Sequence, residues 1–194
     1  MPITYTNRKG FTYVLNKGQT KTGRPRYYFA REAKDEPVEQ LPAGYEIEES
    51  VNGVVSLVRE QPRLILPEEI AAVEVAIKKH PKSGNYRLSV KHDKIIAYEM
   101  VEPDVDEMRE LLSGFDQIPG LAERLQIERD RFTQFSQVLR FILEDAGGRI
   151  FRAERWCYYG DVDDWIYAGH SGKIDALAQK VVPVLGTEDF FQLY

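Results

Sequence analysis

Apolar and polar positions alternate in short runs up to about residue 60. Beyond that point, stretches with helical spacing are interleaved with further alternating runs. Phe11-Thr-Tyr-Val-Leu-Asn16 alternates, placing Phe11, Tyr13 and Leu15 on one face. Gly18 to Pro25 is rich in Gly, Thr and Lys and reads as a hairpin connection. Arg26 to Arg31 returns as a strand, with Tyr27 and Phe29 on one face and Arg26 and Tyr28 on the other. Pro37 and Pro42-Ala-Gly44 punctuate the chain. Tyr45–Glu49 and Val54–Val58 then form a second expected hairpin about Asn52-Gly53. Residues 1–60 are therefore expected to be a small antiparallel β module.

From Gln61-Pro62 the pattern changes. Pro67-Glu-Glu predicts a helix start, with Ile70, Val73 and Ile77 as its apolar stripe, Lys78-Lys-His80 in its last turn and Pro81 as its stop. Tyr86, Leu88 and Val90 alternate with Arg87, Ser89 and Lys91, and a turn at His92-Asp93-Lys94 leads to a partner strand from Ile95 to Met100. Asp104 and Glu107 suggest a capping box for a helix ended by Gly114, and Pro119 opens another through Leu121 and Leu125. A strand from about Phe135 turns at Asp145-Ala-Gly-Gly148 and returns over Arg149 to Tyr158. A last helix starts near Gly172, buries Ile174, Leu177, Ala178 and Val181, and meets Pro183; a helical turn at Phe190-Phe191 docks the tail. The expected fold is α+β: the 1–60 module, then an α-ββ-α-α-ββ-α domain over 61–194 with an antiparallel sheet.

Composition sharpens this only slightly. Of 194 residues, 43% are hydrophobic and 29% charged, as in an ordinary folded protein. The start lacks an apolar secretory h-region and no run of about 18 apolar residues occurs, so a cytoplasmic, non-membrane protein is expected. The net charge of −5 hides a split: residues 1–31 carry +7 with no acid, residues 32–60 carry −6, and residues 61–194 carry −6.

Several motifs suggest chemistry and then fail. Gly18-Gln-Thr-Lys-Thr-Gly23 has P-loop spacing, but Arg24-Pro25 stand where Lys and Ser or Thr are needed, and a strand follows instead of a helix. Gly169-His-Ser-Gly172 lacks one residue of a nucleophile elbow; Ser171 or Gly172 reads better as a helix cap. Asp161-Val-Asp163-Asp164 lacks the later ligands of a calcium loop and reads as the capped first turn of a short helix. Cys157, the only cysteine, can form no intramolecular disulfide and reads as a buried, inert thiol. Three scattered histidines make no zinc site. No catalytic residue, cofactor site or metal site is assigned, and a binding protein is expected rather than an enzyme. An enzymatic alternative requires Cys157, His170 and the Asp161–Asp164 cluster to converge in one cleft.

The positive signal is the first hairpin. Lys17, Lys21, Arg24 and Arg26 cluster at its loop, and Tyr28, flanked by Arg26, is the aromatic expected to face out while its neighbours form core. Cations that meet phosphates beside an aromatic face suit single-stranded nucleic acid. The expected function is contact with an anionic partner, nucleic acid first, through these five residues. The alternative is a protein partner or homodimer bound by the acidic, aromatic carboxy-terminal region with Trp156, Trp165, Phe190 and Phe191.

Thr6-Asn-Arg-Lys-Gly10, Thr12-Tyr13, Thr20-Lys-Thr-Gly23 and Pro25-Arg-Tyr-Tyr-Phe29 together resemble the opening of a bacterial protein family of unknown function. The resemblance spans about 30 to 60 residues. It implies a bacterial origin and a self-contained β module, and it brings no activity with it.

Overall fold

The computed structural model describes residues 1–101, 133–159 and 162–192. The helices expected between Asp104 and Leu125, and the capping role expected of Asp161, lie outside the described residues. The chain forms two units, one built on Met1–Gln61 and the other on Pro62–Val101 and Phe135–Tyr194.

In the first unit, strand β2 (Thr12–Gln19) is central. It pairs with β1 (Thr4–Thr6) and β4 (Glu36–Pro37) along one edge, and with β3 (Pro25–Ala30) along the other, always antiparallel. Strands β5 (Tyr45–Glu49) and β6 (Val55–Arg59) make a separate hairpin. Among the described residues of this unit, the buried apolar side chains are Leu15, Val51 and Val55. The aromatics expected as core (Tyr13, Tyr27 and Phe29) are only half-buried.

Three turns in this unit share one construction. In Asn7–Phe11, Thr20–Arg24 and Ser50–Val54, the first and last residues pair through the backbone, and the fourth-position glycine donates to the first residue's carbonyl. The first side chain, Asn7 Oδ1, Thr20 Oγ1 or Ser50 Oγ, also accepts from the last residue's amide at 2.9, 3.1 and 3.1 Å. Gly10, Gly23 and Gly53 stand at φ of 78°, 77° and 77°, where a side chain would be strained. The second hairpin thus turns on Val51-Asn52-Gly53, with glycine alone in the left-handed region.

Polar contacts add to the apolar ones. Asn7, buried, donates from Nδ2 to the Gly53 carbonyl at 2.6 Å while its Oδ1 accepts from the Lys9 and Phe11 amides. Glu49 accepts from the Arg8 amide, Arg8 Nε and Tyr5 hydroxyl at 3.0, 2.8 and 3.0 Å. Burial pushes the Glu49 carboxyl up, but these hydrogen bonds and the Arg8 charge outweigh it and hold the group below its ordinary value. Its contribution to stability is present above the usual carboxylate range and is lost as pH falls through the lowered folded value. Replacing Asn7 by Ala strands buried backbone groups, with an expected loss of about 1–3 kcal/mol. Equilibrium urea unfolding of the variant checks this, and an unchanged midpoint would dismiss the latch.

The second unit is a five-stranded sheet in the order β7 (Tyr86–Lys91), β8 (Lys94–Val101), β9 (Gln134–Asp145), β10 (Ile150–Tyr159), β11 (Val162–Gly172). Helices α1 (Pro67–Lys79) and α2 (Ile174–Val181) pack against one face of it. Ile95, Leu139, Phe141 and Phe151 from the sheet meet Val73, Leu177 and Val181 from the helices in one continuous core. Proline at the first position of α1 and Glu69 at the third, accepting from the Leu66 amide at 2.8 Å, fix its start. A 3₁₀ turn over Val182–Val184 contains Pro183, and the short α3 (Glu188–Phe191) buries Phe190.

The antiparallel sheets and short helices make the chain α+β, with two corrections to the expected domain. The order α-ββ-α-α-ββ-α fails at Val162–Gly172, a third consecutive strand where a short helix was expected. Its aromatic and β-branched side chains pair across to β10, Trp165 opposite Trp156 and Ile166 opposite Arg155, and this pairing outweighs the helix-start signal of Asp163 and Asp164. The cap of α2 is Lys173 with no side-chain hydrogen bond, instead of Ser171 or Gly172, because both of those belong to β11. Among the described residues, no helix is long and apolar enough to cross a membrane.

Candidate functional sites

The pleat of the first hairpin distributes the five singled-out residues over two faces and a turn. Lys17 is opposite Tyr27, while Arg26 is opposite Gly18 and Tyr28 opposite Asn16. Alternation then sets Arg26 and Tyr28 on one face and Lys17 on the other. Lys21 lies in the turn and Arg24 closes it. Lys17 is bridged to Glu36 at 3.6 Å. The Tyr28 hydroxyl donates to Asp35 at 2.5 Å, and that hydrogen bond chiefly raises its pKa. Tyr28 is half-buried, with the Arg26 guanidinium 5.7 Å from its ring centre, so it is less open than its expected role requires. Gly18 makes room for this arrangement, since a β-carbon there would come within 2.6 Å of the Asp35 carboxylate. Lys21, Arg24 and Arg26 are exposed, and among the described residues none has a carboxylate within ion-pair distance.

Within the second unit, a cavity of about 840 Å³ opens between the sheet and the Gly186–Phe191 segment. Ile166, Phe190 and Phe191 supply apolar wall, Glu99 and Arg155 bring opposite charges to it, and Trp156 and Tyr158, which alternate to the face of β10 opposite Arg155, also border it. Arg155 is 5% exposed; its Nη2 donates to the Phe191 carbonyl at 2.8 Å, and its Nε has no partner among the described residues. Glu99 accepts from the Tyr86 hydroxyl at 2.7 Å. Burial first, then that bond, pushes the Tyr86 hydroxyl far above the ordinary phenol range. Sequence periodicity cannot reveal such a site, because its charged members stand on strands whose neighbourhood depends on the whole sheet.

The remaining motifs separate. Cys157 lines the cavity and pairs in register with Asp164, whereas His170 is six residues farther along β11, about 20 Å at the usual strand rise. Cys157 and His170 therefore do not converge, and Asp161 lies outside the described residues. No cluster of three or more His, Cys, Asp or Glu side chains suited to a metal occurs among the described residues. His80, buried, accepts the Lys82 amide at Nδ1 and donates from Nε2 to the Leu185 carbonyl, a structural role. Trp156 and Trp165 meet edge to face at 5.1 Å, with the Arg140 guanidinium over Trp165 at 4.3 Å. Of the two carboxy-terminal phenylalanines, Phe190 is buried and Phe191 exposed.

Neither a protein-family model, nor a curated protein, nor a solved structure matches this chain.

Proposed function

We propose that the protein is a non-enzymatic binder whose first hairpin contacts the phosphate backbone of a nucleic acid. The observation that carries this reading is the exposure of Lys21, Arg24 and Arg26 at one turn without carboxylate partners among the described residues. Asp35 and Glu36 occupy Tyr28 and Lys17 farther down the strands, which concentrates uncompensated positive charge at the tip. With the Tyr28 ring covered by Arg26, the contact is electrostatic more than stacking, and single strands that bend around a small tip suit it. The acidic remainder of the chain would repel a polyanion elsewhere.

Fluorescence anisotropy with labelled single- and double-stranded DNA and RNA tests this. Three neutralised phosphates predict that affinity for a single strand falls about 20-fold between 50 and 200 mM salt. Changing Lys21, Arg24 and Arg26 together to Ala should abolish binding. Salt-independent binding, or binding retained in the triple variant, would overturn the proposal.

A second reading, self-association or a protein partner at the carboxy-terminal aromatics, is favoured by Tyr158 and Phe191, which are 79% and 60% exposed. Sedimentation showing a strict monomer would remove the self-association form.

A further inference from the structure

We infer that the cavity of the second unit binds a small aromatic zwitterion, a free aromatic α-amino acid or a close chemical relative, with its carboxylate at Arg155 and its ammonium at Glu99. This site is separate from the hairpin and does not rest on the nucleic-acid reading.

Two observations point to a ligand with both charges. Arg155 is a buried cation whose side chain has one hydrogen bond and no carboxylate within ion-pair distance among the described residues. A buried guanidinium ordinarily has an anionic partner, because leaving it incompletely paired is costly. Glu99 faces the same cavity, satisfied on one oxygen by Tyr86, with no cation in ion-pair distance among the described residues. The two do not pair with each other. They stand on β8 and β10, with β9 between them, so the two strands that carry them run about 10 Å apart across the sheet. That gap accommodates a carboxylate and an ammonium on adjacent carbons, each turned to its complement. The wall beside the charges, on the same face of the sheet, is aromatic and aliphatic through Phe190, Phe191 and Ile166. A ring fits such a wall by offset and edge-to-face contact. The volume, about 840 Å³, falls within the range of small-molecule sites. A simple fatty or aromatic acid would leave Glu99 facing its apolar body, and a simple amine would leave Arg155 unmatched.

Isothermal titration calorimetry of the full chain with L-tryptophan, indole-3-propionate and tryptamine separates these cases. L-Tryptophan should bind, and the two analogues, each missing one charge, should bind at least tenfold more weakly, as expected for lost charge-assisted hydrogen bonds. Glu99→Gln keeps an acceptor for Tyr86 and should weaken L-tryptophan at least tenfold without weakening indole-3-propionate. Arg155→Met should remove the carboxylate's contribution. If that variant does not fold, Glu99→Gln and the analogue series decide alone. Equal binding of L-tryptophan and indole-3-propionate, or no heat from L-tryptophan at millimolar concentration, would overturn the inference.

Discussion

Replacing Glu69 with Ala is expected to cost the second unit about 2–4 kcal/mol, the scale of losing a charge-assisted, part-buried pair together with a helix-start hydrogen bond. Glu69 is 5% exposed and joins three segments. Its Oε1 accepts from Arg149 Nε at 2.8 Å, and its Oε2 accepts both Arg149 Nη2 and the Leu66 amide that opens α1. Arg149 also reaches the Leu64 carbonyl at 3.1 Å. It is the one non-glycine among the described residues with a positive φ, 50°, in the turn between β9 and β10. The Ala variant leaves a guanidinium without its partner, a helix start without its cap and a strained turn without its tether. Glu69→Gln, able to keep the Leu66 hydrogen bond, should lose less. Urea unfolding followed by circular dichroism reads both; an Ala variant as stable as the parent would show that the pair contributes nothing.

The second large effect is expected at Phe141. Its side chain is fully buried, and its neighbour across the β9–β10 ladder is Ala153, also fully buried. Phe141→Ala therefore opens a void that its small partner cannot fill, at a cost of about 3–5 kcal/mol. The same unfolding experiment on Tyr158→Ala, removed from a position 79% exposed, should shift stability by no more than about 0.5 kcal/mol. A Phe141 variant that behaves like the Tyr158 variant would contradict the packing described for the sheet and helices.

What the residues disclosed by themselves was local. Alternation in Phe11–Asn16, Arg26–Arg31 and Tyr86–Met100, and proline before the acids of α1, mark elements that form close to where the pattern puts them, because these signals act over a few residues. Val162–Gly172 was misread because Asp163-Asp164 is locally a good helix start. What makes it a strand is its pairing with β10, above all Trp165 with Trp156. The Asn7–Gly53 bond joins residues 46 positions apart, so no local window could find it. The repeated spacing of a polar residue three before glycine was available in Asn7–Gly10, Thr20–Gly23 and Ser50–Gly53 and explains the false P-loop. At the hairpin, composition identified the cations, but only the register shows that Lys17 faces away from Arg26 and Tyr28. The Arg155–Glu99 cavity left no trace in the sequence, since its charges come from strands two places apart.

The three like turns differ in what surrounds them. A β-carbon at Gly53 would press on Asn7 and Lys9 at 3.1–3.2 Å, whereas one at Gly23 would meet nothing within 4 Å. The first hairpin's tip is therefore built by backbone geometry and the Thr20 hydroxyl, and among the described residues nothing crowds its glycine. If the proposed contact is made there, its recognition chemistry is modular: a lineage, or a designer, could rewrite Lys21, Arg24 and Arg26 for another target while the scaffold beneath stays as it is.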